Sequence, residues 1–106
     1  MMTLDEDLRE EIVRRIREVA APTRVILFGS YARGDAADDS DVDLLVVVNA
    51  TPSRRDLAIK IHRALGGLGK PVDVIVATED IMARFGDIPG VIYEEAACEG
   101  VELYAG

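Results

Sequence analysis

Cysteine and positive charge are scarce in this sequence of 106 residues, and each shortage excludes a class of protein. Cys98 is the one cysteine, so no disulfide can form within the chain, and a reducing cytoplasm is the expected setting. We expect Cys98 to be a small buried helix residue. Lys and Arg number 12 against 20 Asp and Glu, a net charge of −8. Duplex nucleic acid is therefore not expected as a partner, because its binding requires basic residues that neutralise phosphates.

Long apolar runs are also missing, and no secretory leader is expected. No apolar run approaches the length of a membrane span, and no basic segment followed by an apolar one opens the chain. We therefore expect a soluble cytoplasmic protein with no membrane contact. The length fits a single domain over residues 1–106 with one core, which leaves no room for the fingers and thumb of a template-copying polymerase.

Two short motifs carry most of the chemistry that is present. Gly29 and Ser30 follow the apolar run Val25–Phe28; the glycine lets the backbone approach a ligand, and the serine is expected to cap a helix and face a phosphate. Asp41 and Asp43 stand one residue apart, so in an extended segment both carboxylates project to the same side. Their repulsion favours a bound cation such as Mg²⁺. The pattern predicts a site for a nucleoside triphosphate and its metal ions.

Each motif also has an ordinary structural interpretation. Gly-Ser after a strand is a common turn, and Asp-x-Asp at a strand end often keeps a loop soluble. The run Leu44–Val48 is apolar throughout, which predicts a strand buried on both faces. Two acids at the start of such a strand favour the functional interpretation.

A third acid, Asp73, lies in another apolar run, Pro71–Ala77. In-line nucleotidyl transfer with two metal ions needs a carboxylate that bridges the metals and helps to deprotonate the incoming hydroxyl. We therefore predict that Asp73 joins Asp41 and Asp43 as a catalytic residue and metal ligand. Arg33 is expected either to approach the triphosphate or to form an ion pair with an acid.

These residues resemble the motifs of minimal nucleotidyltransferase domains of the DNA polymerase β superfamily. Asp73 falls where the third acid of that family is expected, and the C-terminal segment is similar to the tail of its small prokaryotic members. The resemblance covers nearly the whole chain and rests on Gly29–Gly34 (GSYARG), the ten residues between Ser30 and Asp41, Ser40–Leu44 (SDVDL), Asp73, and residues 92–96 and 100–104.

The resemblance implies ATP as substrate, two Mg²⁺ ions with Mn²⁺ as an alternative, and a nucleotide site that includes Gly29, Ser30 and Arg33. Small members of this kind are typically antitoxins encoded beside a HEPN-domain toxin. The resemblance therefore implies transfer of AMP from ATP to a tyrosine of that toxin, a basic partner for this acidic chain. Two other functions stay open: a catalytically inactive module that blocks the toxin sterically, and a small-molecule nucleotidyltransferase like those that modify aminoglycosides.

The hydrophobic pattern predicts an α/β sandwich, in which a small sheet bears helices mainly on one face. The spacing does not fix the strand order, and the family resemblance implies a mixed sheet of the polymerase-β type. Ser53 is expected to cap the helix that follows it, and Tyr31 to be a packing residue. The predicted helices lie at 4–19, near Ser30, at 53–68, 79–84 and 91–99; the predicted strands lie at 24–28, 44–48 and 71–77, with an edge strand or docking tail at 101–104.

Overall fold

A four-stranded sheet forms the centre of the molecule. The computed structural model describes residues 4–37 and 39–106, and within these residues five helices accompany the sheet. All of the predicted helices and strands are present. Their bounds are α1 Glu6–Val19, β1 Pro22–Phe28, α2 Ser30–Arg33, β2 Val42–Val48, α3 Arg54–Ala64, β3 Val72–Thr78, α4 Glu79–Phe85, α5 Ile92–Glu99 and β4 Val101–Ala105.

The sheet is mixed, which confirms the prediction. Its strand order is β3-β2-β1-β4. The central strand β1 is antiparallel to both β2 and β4, whereas β2 and β3 are parallel. The parallel pair requires a crossover connection, which α3 supplies. The C-terminal segment is an edge strand paired with β1, which decides between the two alternatives left open for it.

Strand β2 is buried on both faces, as its apolar run predicts. Leu44 and Val46 lie in a core with side chains of α1 and α3, while Leu45 and Val47 lie in a second core with α4 and α5. The two longest helices thus share one face, in line with the expectation of helices mainly on one side. The two shorter helices α4 and α5 cover part of the other face, which is the face that matters for the site.

The longer helices begin at side-chain caps. The Ser53 hydroxyl accepts a hydrogen bond from the Asp56 N–H at 3.1 Å, which confirms the predicted cap of α3. The Asp5 carboxylate likewise accepts a bond from the Leu8 N–H at 2.7 Å at the start of α1. Caps of this kind stabilise a helix by about 1 kcal/mol.

Cys98 is exposed, and the expectation that it is buried was wrong. The side chains of Tyr93 and Ala96 on α5 pack into the second core. A helix has 3.6 residues per turn, so Cys98, two positions after Ala96, lies on the opposite side of α5. Tyr31 is buried, with 4% of its surface exposed, which confirms its packing role. In the part of the chain that the structure describes, no helix has both the length and the apolar character needed to cross a bilayer.

Candidate active site

Parallel pairing of β2 and β3 places two of the predicted acids side by side. Asp43 and Asp73 are register partners, and partners on neighbouring strands, about 4.8 Å apart, project to the same face of a sheet. Asp41 immediately precedes β2 and is exposed. The three predicted acids therefore lie at the same end of the sheet, where both parallel strands begin.

Asp43 is the most constrained of the three acids because it is half-buried, whereas Asp41 and Asp73 are exposed. Burial is the largest cause that raises the pKa of Asp43 above its ordinary value of 3.8, followed by repulsion from Asp73, Asp41 and Glu95. The Arg33 guanidinium lowers that pKa in part. The site therefore carries negative charge that its own side chains do not neutralise.

Glu95 belongs to this cluster, and sequence reasoning assigned it no role. It lies on α5, and its carboxylate forms an ion pair with Arg33 at 3.7 Å between Nη1 and Oε1. Arg33 also pairs with Asp35 through Nε at 3.3 Å. The ion pair expected for Arg33 is therefore present, and contact of Arg33 with a triphosphate stays a prediction. Nothing local in the sequence indicates Glu95, because it reaches Asp43 only through the packing of α5 on the sheet.

Gly29 adopts a backbone conformation that only glycine tolerates easily, with φ 74° and ψ −152°. Its φ is positive, and a Cβ at this position would overlap with Oδ2 of Asp43 and lie 3.2 Å from its Cγ. The close approach follows from the pairing of Phe28 with Asp43 in the β1–β2 ladder. Gly29 is therefore required by its dihedral angles and by the neighbouring carboxylate.

Ser30 does not cap the following helix, contrary to the prediction. It is the first residue of α2, and Gly29 occupies the N-cap position, where no side chain makes a capping hydrogen bond. The prediction failed because Gly29 turns the chain one residue earlier than expected. Ser30 is half-buried, and its carbonyl accepts hydrogen bonds from the N–H groups of Gly34 and Asp35 at 2.9 and 3.1 Å.

The donor set suits a hard divalent cation. Among residues 4–37 and 39–106, no three His, Cys, Asp or Glu side chains converge closely enough to form a metal-binding group on their own. Mg²⁺ takes one or two carboxylates and completes its shell with water and substrate phosphates. A pair of carboxylates beside an open surface meets that requirement.

A larger cavity lies away from the predicted acids, and a smaller one includes Asp73. A groove of about 870 Å³ between α1 and β4 contains none of the predicted site residues. Asp73 instead lines a smaller cleft of about 280 Å³, together with His62 and Arg63 of α3. We place the site at the acids rather than in the larger groove, because the unneutralised charge and the close Gly29–Asp43 contact are found there.

Comparison with known proteins identifies the family. A nucleotidyltransferase domain family matches residues 7–97, and the chain therefore belongs to that family. The protein adenylyltransferase MntA of Thermococcus cleftensis is 40% identical over 55 residues, which cover 50% of this chain and 56% of that protein. The chain spans between 24% and 56% of the length of the curated relatives that it matches.

Solved structures share the fold. A toxin–antitoxin complex with AMP-PNP contains a chain that is 24% identical, with a TM-score of 0.66, over 92% of this chain and 73% of that one. A complex of the tri-AMPylated Shewanella oneidensis HEPN toxin with an MNT antitoxin gives a TM-score of 0.62 at 20% identity, over 97% of this chain and 74% of that one. The polymerase-β-like nucleotidyltransferase fold implied by the sequence is confirmed. The family implies a nucleotide substrate and a divalent metal ion.

Proposed function

We propose that the protein is an antitoxin that transfers AMP from ATP to a tyrosine hydroxyl of a HEPN-domain toxin. The observation that carries the proposal is the pairing of Asp43 with Asp73 across two parallel strands, with Gly29 held against the Asp43 carboxylate. Membership of the nucleotidyltransferase domain family supports it. The name of the Thermococcus relative and the AMPylated HEPN toxin in the Shewanella complex support the choice of acceptor.

Asp41, Asp43 and Asp73 would hold the divalent ions, for which Mg²⁺ is proposed and Mn²⁺ is an alternative. When bound, these ions would neutralise the carboxylates and stabilise the charge that develops on the transferred phosphate. Gly29 and Ser30 would contact the phosphates, because they follow β1 directly beside the Asp43 carboxylate. Arg33 is 43% exposed and would contact the triphosphate from the edge of the site.

In the proposed reaction, the tyrosine oxygen bonds to the α-phosphorus of ATP. The bond from that phosphorus to the oxygen bridging to the β-phosphate breaks, and pyrophosphate leaves with the electron pair. Asp73 accepts the hydroxyl proton. We assign this role to Asp73 because it is exposed on an edge strand beside an open cleft. Asp43, in contrast, is half-buried and in close contact with Gly29.

The deciding experiment uses this protein, ATP, Mg²⁺ and the HEPN-domain protein encoded beside it. Intact-mass spectrometry should show the partner gaining the mass of one or more adenylyl groups, and peptide mapping should place them on tyrosine. A partner that stays unmodified but is fully inhibited in a tight complex would favour the steric binding module. Labelling of a small hydroxylated compound without the partner would favour the small-molecule enzyme.

A further inference from the structure

Three exposed apolar residues lie close together along the chain where α4 passes into α5. Phe85, Ile88 and Ile92 are 41%, 42% and 39% exposed. Turn hydrogen bonds hold the connection: the Ile88 N–H donates to the Phe85 carbonyl at 3.2 Å, and the Val91 N–H donates to the Ile88 carbonyl at 3.3 Å. We call this surface, formed by Phe85, Ile88 and Ile92, the α4–α5 corner. A cluster of exposed apolar side chains on a small domain marks a surface that a partner covers.

Acidic side chains border the corner. Ile92 shares a cleft of about 440 Å³ with Glu94, Glu95 and Glu99, and Asp87 is exposed within the connecting turn. An apolar centre with a charged rim is the usual composition of a protein interface. The acidic rim favours a partner whose facing residues are basic.

The corner is continuous with the candidate active site through Glu95. This residue lines the cleft beside Ile92, and it also forms the 3.7 Å ion pair with Arg33. A protein seated on the corner would therefore also reach Glu95, whose charge acts on Asp43.

We propose that the α4–α5 corner is the surface on which the acceptor protein docks, and that the acceptor presents apolar side chains surrounded by Lys or Arg. The inference rests on the proposed function, since it assumes a protein acceptor. Docking there would bring the acceptor towards the acids of the candidate site through Glu95. It also gives the acidic rim a role in selecting the partner.

Two alternatives are less favourable: a second copy of this chain on the corner, and an acceptor that docks at Ile59 on α3. A second copy of this chain on the same patch would oppose one acidic rim with another, because a twofold interface pairs a surface with itself. The remaining large exposed apolar residue in the described structure, Ile59, is 42% exposed on α3. It lines one cleft with Asp56, Lys60 and Arg63 and also the cleft of Asp73. Lys60 and Arg63 would repel a partner with basic facing residues.

The test compares isoleucines of equal exposure. Ile88→Ser and Ile92→Ser should each weaken binding of the HEPN-domain partner about tenfold, because a central apolar contact is lost. Ile59→Ser should bind as the wild type does. Titration calorimetry without ATP measures the affinity, and equal melting temperatures among the three variants exclude unfolding. Unchanged affinity in both corner variants, or an equal loss in Ile59→Ser, would overturn the inference.

A charge reversal tests the acidic rim separately. Glu99→Lys should slow association with the partner and reduce its dependence on salt, whereas Glu10→Lys on exposed α1 should not.

AMP transfer by the wild type separates the two proposals. If the wild type modifies the partner and the corner variants do so equally well at low partner concentration, the docking surface is wrong and the function stands. If the wild type binds through the corner but transfers no AMP, the function is wrong.

Discussion

The carboxylate of Asp43 occupies the space that a side chain on Gly29 would need. Oδ2 of Asp43 lies where a Cβ would overlap with it, and Gly29 has a φ of 74°. The relationship joins the end of β1 to the start of β2, since Phe28 and Asp43 are paired in the ladder. The Gly-Ser motif and the Asp-x-Asp motif are thus parts of one packed unit.

Gly29→Ala should reduce AMP transfer by at least about a hundredfold, because displacement of a positioned group by about 1 Å has an effect of that size. The alanine would also have to adopt a backbone conformation that favours glycine, which should lower the free energy of unfolding by about 1–3 kcal/mol. Transfer rates and urea denaturation measure the two effects. Gly34→Ala is the matched control, with φ 84° and open space around its Cβ. It should lose about 1–2 kcal/mol of stability but keep its activity, and equal activity loss in both variants would show that backbone strain alone is responsible.

Asp43→Asn should stabilise the protein most at neutral pH. Burial, and then repulsion from Asp73, Asp41 and Glu95, raise the pKa of Asp43 above 3.8. Between the unfolded and folded pKa values the folded protein binds more protons, so its free energy of unfolding falls as the pH rises. The difference in free energy of unfolding between Asp43→Asn and the wild type should therefore shrink as the pH approaches 3.8.

Urea denaturation of both proteins across that pH range checks this expectation. Asp80→Asn on α4, which alters an exposed ion pair with Arg84, serves as the control and should show no comparable trend. A difference between Asp43→Asn and the wild type that does not change with pH would contradict the electrostatic explanation.

ATP should bind only in the presence of Mg²⁺ or Mn²⁺, because without a cation the triphosphate meets unscreened carboxylates. Calorimetry in excess EDTA should show an affinity weaker by at least about tenfold, which corresponds to 1.4 kcal/mol. Asp41→Asn should lose most of the metal-dependent binding, and Asp80→Asn should retain it. Equal ATP affinity with and without metal would refute the metal site.

Asp73→Asn should keep ATP binding far better than Asp41→Asn does, yet transfer AMP about a hundredfold more slowly, which is the usual contribution of a general base. The split between affinity and turnover distinguishes a proton acceptor from a phosphate-site ligand. Calorimetry gives the first quantity and the rate of partner modification gives the second. Transfer at the wild-type rate would remove Asp73 from the catalytic residues.

Arg33 and Glu95 should act as a pair in nucleotide binding. If Glu95 holds Arg33 in position through the 3.7 Å ion pair, then Arg33→Ala should raise the KM for ATP several-fold, and adding Glu95→Gln should raise it no further. The same cycle on Asp80 and Arg84, an exposed pair on α4, should leave the KM unchanged. Independent, additive effects of Arg33→Ala and Glu95→Gln would show that Glu95 does not position Arg33.

The sequence by itself predicted the elements and most of the acids of the candidate site. Apolar residues at helical spacing predicted α1 and α3, and unbroken β-branched runs predicted β2 and β3, because these patterns depend on neighbours within a few residues. Asp41, Asp43 and Asp73 were identifiable for the same reason, since each stands at the start of an apolar strand. The Ser53 cap is also a local feature and was predicted correctly.

Tertiary structure alone decided what depends on distant parts of the chain. The strand order follows from which strands pair with one another. The place of Glu95 beside Asp43 and the exposure of Cys98 follow from how α5 packs on the sheet. The contact between Gly29 and Asp43 likewise requires the β1–β2 register, which a glycine in the sequence does not specify. Pairing and packing join residues far apart in the chain, and their free energy is set by burial and charge in three dimensions rather than by local spacing.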